Sequence, residues 1–373
     1  VVRILHVSDC YPPRTGGIET QVRDLARAQH AAGHEVHVLT ATPGPAGERG
    51  GVRQDDEGVV VHRLGAHLPF DLPVNPAAVP RMRALLSELA PDVVHVHAGV
   101  VSPFAFDGAR LALAVGLPLA ITWHCMLDGT VPAMRAGVRL GPWRHAPAAL
   151  SAVSRAAADR VAGVFGGDVA VLPNGMDLER WAPSGAPASD GVLHAVATMR
   201  LAPRKRGPAL VGVIEDAVTQ LAPGALRVDI LGDGPSRTRM ERSVRRRALE
   251  DVVTLRGRLD RDAVREAYRD AHVFLAPAEL EAFGIAALEA RTAGLVVVAR
   301  RGTGIEEFVT DGVDGLLVAD DAGMARALVH LVHAPALRAG LQSRARAVRP
   351  RFSWDHAVAA AAAEYSRAVA LRG

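Results

Sequence analysis

The sequence predicts an α/β protein of two Rossmann-like domains, and three observations carry that expectation. The chain has 373 residues, more than one hydrophobic core usually serves. Short apolar runs alternate along it with Ala-rich segments long enough for crossover helices, the pattern of parallel strands covered by helices. Aromatic residues make up only 4%, so Ala, Val and Leu must fill the interior, which suits such layers.

The first series opens with a strand over Val2–Val7, a Pro/Gly loop, and a helix whose apolar positions include Ile18, Val22, Leu25 and Ala26. Strands follow at Glu35–Leu39, Val59–Val61, Val93–Val96 and Leu119–Thr122, with two smaller ones near Leu150–Val153 and Val169–Leu172. The turn-rich piece WAPSGAPASDG then has no apolar period and is assigned as the linker. Strands of the second series are expected at Leu193–Ala197, Arg227–Leu231, Val252–Leu255, Val273–Ala276, Val296–Ala299 and Leu316–Val318, with helices that include Pro208–Leu221 and Arg261–Arg269. Helical periodicity continues after Asp321, and a last Ala-rich helix follows Phe352 and Trp354. The expected domains are 1–186 and 190–352, with 353–373 crossing back to brace the first.

The charge of +3 is the difference between 43 basic and 40 acidic residues spread through the chain, which argues against nucleic acid as a partner. The basic run Arg237–Arg247 has no interleaved aromatics and reads as a solvated helix face in preference to a polyanion or membrane contact. No stretch of about 18 apolar residues is present to span a bilayer, and the N-terminal segment does not read as a targeting signal. With only Cys10 and Cys125, the chain reads as a cytoplasmic protein with free thiols.

In open parallel sheets, ligands bind beyond the carboxyl ends of the strands. After the first strand, Gly16 and Gly17 precede a helix, where exposed N–H groups and the helix dipole would receive a diphosphate; a plain tight turn would use the same residues. In the second series, Arg200 and Lys205 flank Pro203 after the opening strand and are placed to neutralise charge on a departing diphosphate. Lys205 is the only lysine among the 43 basic residues, in a chain that otherwise uses arginine. The segment EAFGIAALE carries Glu281 at a helix entrance, suited to sugar hydroxyls, and Glu289 within the helix, where ribose hydroxyls would satisfy a costly buried carboxylate. Both glutamates would also fit a solvent-facing helix. His97 and His124 end strands of the first series, with His95 deeper on the same side; no convergent carboxylate or cysteine spacing points to a metal.

These segments together resemble the GT-B fold glycosyltransferases of family 4, from Val2 to about Trp354. EAFGIAALE (Glu281–Glu289) is similar to that family's E-x7-E signature, RLAPRK to its donor-binding segment, PRTGGIET to its N-terminal glycine loop, and LPNGMD (Leu172–Asp177) to the end of its first domain. The resemblance implies two Rossmann-like domains facing each other across a cleft, an acceptor-binding first domain and a nucleotide-sugar-binding second. It implies a UDP- or GDP-sugar donor and retention of anomeric configuration without a metal or other cofactor. Arg200 and Lys205 would hold the diphosphate, Glu281 the transferred sugar and Glu289 the ribose, with Phe283, Gly284 and Ile285 lining the donor site. Gly16 and Gly17 would offer backbone N–H groups, and His124 would contact the sugar or orient the acceptor. Arg206 departs from the family, in which Gly commonly follows the Lys directly.

The expected mechanism is front-face transfer with donor-induced closure; a covalent intermediate would need a carboxylate such as Asp9 or Glu19. A small soluble sugar, cyclitol or aminoglycoside is the favoured acceptor, bound near His97, His124 and the segment Cys125–His145, in which Met126, Leu127, Met134, Leu140 and Trp143 would wall a pocket or form a covering helix. A lipid-linked acceptor, with peripheral membrane contact, is the less favoured alternative. The rival functions are a GT-B epimerase or phosphorylase and a non-enzymatic two-domain sugar-binding protein.

Overall fold

The structure, a computed structural model, describes all residues except 15, 67–74, 141, 184, 186–189 and 373. Much of the expected linker, and Thr15 of the glycine loop, therefore lie outside the described residues. The chain divides into two compact units, one made of Val1–Gly175 with Phe352–Gly373 and the other of Met176–Arg351.

In the first unit the strands are β1 (Arg3–Ser8), β2 (Glu35–Thr40), β3 (Val52–Asp56), β4 (Val59–Arg63), β5 (Val93–Ala98), β6 (Leu119–Trp123), β7 (Ala148–Ala152) and β8 (Ala170–Val171). They form one sheet in the order β3–β4–β2–β1–β5–β6–β7–β8. All neighbours are parallel except β3 and β4, an antiparallel hairpin at the edge. β3 was not expected, because its residues VRQDD are polar and mostly exposed and leave no apolar signature. Helices α1 (Gly17–Ala31), α2 (Val79–Leu89), α3 (Pro103–Ala114), α4 (Val131–Leu140) and α5 (Arg155–Phe165) connect the strands. Val22 and Ala26 of α1 join Ile4, Val36, Val38 and Val93 in one buried core.

The second unit has a six-stranded, wholly parallel sheet of β9 (Leu193–Thr198), β10 (Leu226–Leu231), β11 (Val253–Gly257), β12 (Val273–Ala276), β13 (Val296–Arg300) and β14 (Gly315–Val318), ordered β11–β10–β9–β12–β13–β14. This is the doubly wound order, with its topological switch between β9 and β12; the first unit switches in the same way between β1 and β5. Its helices are α6 (Gly207–Val218), α7 (Arg237–Arg246), α8 (Arg261–Asp270), α9 (Ile285–Thr292), α10 (Asp321–His333) and α11 (Pro335–Ala347). The basic run lies on α7, which buries Met240, Ser243 and Val244 and leaves Arg239, Arg242, Arg245 and Arg246 exposed.

The last helix, α12 (Trp354–Arg372), belongs to the first unit, where Tyr365 and Ala368 enter the core and Arg367 donates to the Asp168 carbonyl at 3.3 Å. The division between the units falls at Gly175/Met176, earlier than the boundary at 186. The reason is packing: Trp181 is buried against Tyr268 at 5.6 Å, and Arg180 pairs with Asp262 at 2.8 Å, both in the second unit. Among the described residues no helix is long and apolar enough to cross a membrane.

Candidate active site

In the second unit the sequence-selected residues gather at the switch point. Arg200 follows β9 and is exposed, while Lys205 ends the 3-10 turn Pro203–Lys205 and is half-buried. The loop is held from behind by the turn after β10: the Leu201 N–H donates to the Asp233 carbonyl at 2.9 Å and the Ser236 N–H to the Leu201 carbonyl at 2.8 Å. Gly232 makes this possible, since its φ is 131° and a Cβ there would lie 1.9 Å from the Met199 carbonyl oxygen. The glycines of LGDGP are the sequence signal for this support.

Lys205 donates to Glu281 Oε2 in a salt bridge. Arg206, at φ 58°, caps the same turn and forks onto both oxygens of Asp321 at 2.7 and 2.9 Å. Arg300 reaches Asp321 at 3.0 Å and Glu279 at 3.1 Å. Arg206 therefore acts as an anchor of the turn, and its carboxylate partners lie in one network with it.

Gly284 opens α9 at φ 91°, a left-handed N-cap that suits glycine. Phe283 is buried and packs on Phe308 at 5.6 Å, so its ring belongs to the core. Glu289 is half-buried one turn beyond Ile285, and its carboxylate has no hydrogen-bond partner among the described residues. Burial pushes its pKa up to about 7, against the pull of Arg261 and Arg180. Beside it, burial and the Glu289 charge raise the Tyr268 pKa, and its hydroxyl donates to Thr198 Oγ1 at 2.9 Å. A carboxylate kept in this state wants hydroxyl donors.

In the first unit, Gly16 and Gly17 are exposed at the start of α1. Gly16 has an extended φ of 177°, and a Cβ there would meet the Glu19 carboxylate at 2.2 Å. Glu19 itself is buried, 3.6 Å from Arg14. Asp9, beyond β1, accepts the N–H groups of Phe104 at 3.1 Å and Ala105 at 3.3 Å. It caps α3, and burial raises its pKa to about 6 against those bonds.

His95, His97 and His124 are brought together with a residue not singled out, His6. His6 Nε2 meets Gln29 Oε1 at 2.7 Å, His6 Nδ1 meets His97 Nε2 at 2.8 Å, and His97 Nδ1 meets His124 Nε2 at 2.9 Å. His95 lies between the Tyr365 hydroxyl at 2.9 Å and Thr122 Oγ1 at 2.7 Å. His6, His95 and His97 each offer a ring nitrogen within 4.8 Å of the others, but all six of their nitrogens already have these protein partners, so the cluster is a hydrogen-bond network. Burial lowers the His6 and His124 pKa values to about 4 and holds those of His95 and His97 well below the ordinary value. His124 is the half-buried end of the chain, in a depression lined also by Gln21, Asn174 and Trp354.

Of the segment Cys125–His145, Met126 and Leu127 are core residues and Trp143 packs edge-on against Phe106 at 5.6 Å. Residues 132, 133 and 135–137 of α4 are exposed, and the Leu140 side chain lies outside the described residues. Most of the expected apolar wall is thus turned into the fold, and α4 is a covering helix.

Known proteins share this architecture. The family description "Glycosyltransferase Family 4" matches residues 15–180, and "Glycosyl transferases group 1" matches residues 192–334. The phosphatidyl-myo-inositol mannosyltransferase of Mycolicibacterium smegmatis is 30% identical, over 91% of this chain and 87% of that protein. The chain belongs to glycosyltransferase family 4. This family 4 glycosyltransferase is also 29% identical to the D-inositol 3-phosphate glycosyltransferase of Xylanimonas cellulosilytica, over 99% of its own length and 96% of the relative's. Among solved structures, HepE of Anabaena in complex with UDP and glucose has a TM-score of 0.75 at 19% identity, covering 98% of this chain and all of that one. The sucrose-phosphate synthase of Thermosynechococcus elongatus has a TM-score of 0.77 at 20% identity, covering 98% and 99%. The protein is an enzyme, a GT-B glycosyltransferase that uses a nucleotide-sugar donor.

Proposed function

We propose that this glycosyltransferase moves a hexose from a UDP- or GDP-sugar, with retention and without a metal, to a hydroxyl of a small soluble acceptor of the sugar, cyclitol or aminoglycoside type. The observation that carries the donor half is the grouping of Arg200, Lys205, Glu281 and Glu289 around the switch point of the second unit. Arg200 and Lys205 supply fixed positive charge for the leaving diphosphate, the role a divalent ion takes elsewhere. Glu289 accepts from ribose hydroxyls, and Glu281 from the transferred sugar.

In the proposed reaction the acceptor oxygen bonds to the anomeric carbon as the bond from that carbon to the phosphate oxygen breaks on the same face. The departing phosphate takes the acceptor's proton. Asp9 spends its carboxylate on the N-terminus of α3, which favours this route over a covalent glycosyl-enzyme on that residue. His124 and the backbone of Gly16 and Gly17 are assigned to the sugar and diphosphate from the first unit.

The names of two relatives favour a cyclitol within the acceptor class, since both specify inositol, one as a phosphate and one within a lipid. A lipid-linked acceptor is the second reading. Val100 and Val101, exposed by 39% and 82% just beyond β5, favour it as an apolar contact.

Calorimetry with UDP and GDP tests the donor site. Lys205→Ala and Glu289→Ala should each weaken nucleotide binding by about tenfold or more with the fold intact; wild-type affinity in both would remove the assignment. Mass spectrometry of a cell extract supplied with labelled nucleotide-sugars tests the acceptor, and product confined to the lipid fraction would favour the second reading.

A further inference from the structure

Eight polar side chains form one uninterrupted chain inside the first unit, and the chemistry of neutral imidazole gives that chain a direction. A neutral ring has one donor nitrogen and one acceptor nitrogen, so once one end of a row of rings is fixed, every proton in the row is fixed. The row here is His6, His97 and His124, and its inner end is the amide of Gln29, 1% exposed on α1. Burial keeps the rings neutral near pH 7 by holding His6 and His124 at about 4 and His97 well below its ordinary value.

Gln29 presents Oε1 to His6 and donates from Nε2 to the Tyr365 hydroxyl at 2.8 Å. His6 must then donate through Nε2 and accept at Nδ1. His97 in turn donates through Nε2, and His124 donates through Nε2 to His97 Nδ1. On the other branch, the Tyr365 hydroxyl donates to His95 Nδ1, His95 Nε2 donates to Thr122, and Thr122 donates to Ser151 Oγ at 2.8 Å. Ser151 is left to donate to the Ile121 carbonyl at 3.4 Å. Rotating the Gln29 amide by half a turn would reverse every one of these bonds, and Ser151 would then donate to Thr122 and leave the Ile121 carbonyl without it. Only the direction with Oε1 on His6 adds the Ser151 bond to the Ile121 carbonyl, one hydrogen bond more than the reversed row holds.

We infer that Gln29 is a positioning residue that sets the tautomer of His124 through His6 and His97, so that His124 turns a bare Nδ1, a hydrogen-bond acceptor, toward the transferred sugar. This rests on the proposed contact between His124 and the sugar, but the tautomer exists without any ligand. His124 would therefore select a sugar that offers a hydroxyl at that point. α12 takes part, since Tyr365 is what holds the Gln29 amide in place.

Nitrogen-15 NMR of the full chain labelled at histidine reads each ring directly, with no substrate. The expected result is His124 protonated at Nε2 and bare at Nδ1; protonation at Nδ1 overturns the inference, whatever the donor or acceptor proves to be. Gln29→Glu keeps an acceptor on His6 Nε2 and should preserve both the His124 signature and turnover. Gln29→Leu removes the anchor and should mix the His124 tautomers and lower kcat about tenfold, with little change in donor KM. A Gln29→Leu protein with the wild-type tautomer and wild-type kcat would also overturn it. The wild-type and Gln29→Glu spectra decide the matter if the leucine variant does not fold.

Discussion

Lys205 and Glu281 are joined in a salt bridge within the second unit, with side chains only 19% and 18% exposed. The two groups assigned to the diphosphate and to the sugar thus satisfy each other. A nucleotide diphosphate must take Lys205 away from its partner. Breaking a partly exposed pair costs about 1 kcal/mol, so Glu281→Gln should bind free UDP or GDP about fivefold more tightly while turnover with the full nucleotide-sugar falls. Titration calorimetry measures the first effect, and unchanged or weaker nucleotide binding would show that the pair does not compete with the diphosphate.

Glu289 sets binding against stability. Its carboxyl has a folded pKa of about 7 against an ordinary 4.5, so the folded chain holds the proton more firmly than the unfolded chain between those values. Its contribution is favourable at low pH and is lost as pH rises through that window, by at most about 3 kcal/mol. Glu289→Gln should therefore raise the urea midpoint at pH 8 and leave it nearly unchanged at pH 4, while weakening nucleotide binding. A lower midpoint at pH 8 would contradict the buried-carboxylate account.

The histidine row gives the opposite slope. His6 has a folded pKa of about 4 against an ordinary 6.5, so the unfolded chain binds the extra proton between those values. Stability is complete above 6.5 and is lost as pH falls toward 4, on the order of 3 kcal/mol for one such ring. Asp9, raised to about 6, works against this over part of the range, so the contribution must be read by difference. Urea unfolding from pH 7 to 4 should show a shallower acid loss in His6→Gln than in the wild type. Equal slopes would mean that His6 is not buried as a neutral ring.

The candidate donor residues and the second sheet are legible for a physical reason. Strands buried on both faces, such as β12 and β13, are continuous apolar runs, and Lys205 stood out because the chain uses arginine everywhere else. β3 escaped because an edge strand needs no apolar face. Gln29 and Tyr365 escaped for a different reason: on an amphipathic helix a glutamine reads as solvent-facing, and only the packing of α12 on α1, residues 336 apart in sequence, brings the two together in the interior. The end of the first unit was visible in LPNGMD, yet the turn-rich composition further on drew the boundary past Trp181, whose burial against Tyr268 only the fold reveals.

The proposed metal independence rests on how the carboxylates near the candidate donor residues are used. Glu281 is paired with Lys205, while Glu279 and Asp321 are paired with Arg206 and Arg300. A divalent ion on the diphosphate would have to compete with those cations for its protein ligands. Turnover should persist in EDTA; loss on chelation that Mg²⁺ or Mn²⁺ restores would sink the proposal.

Arg206 separates backbone strain from anchoring. It holds φ at 58°, a conformation that costs a residue other than glycine about 1–2 kcal/mol. It also forks onto Asp321, whose side chain is 36% exposed, so solvent screening limits that contact to about 1 kcal/mol. Arg206→Ala keeps the strain and removes the fork, and should lower stability by about 1 kcal/mol. Arg206→Gly removes both, and the two changes should nearly cancel. Because Lys205 sits on the turn that the fork steadies, both variants should weaken nucleotide binding, with the glycine variant near wild type in urea unfolding. If alanine and glycine were equally destabilising, the left-handed backbone would carry no strain and the ion network would be the whole of what Arg206 contributes.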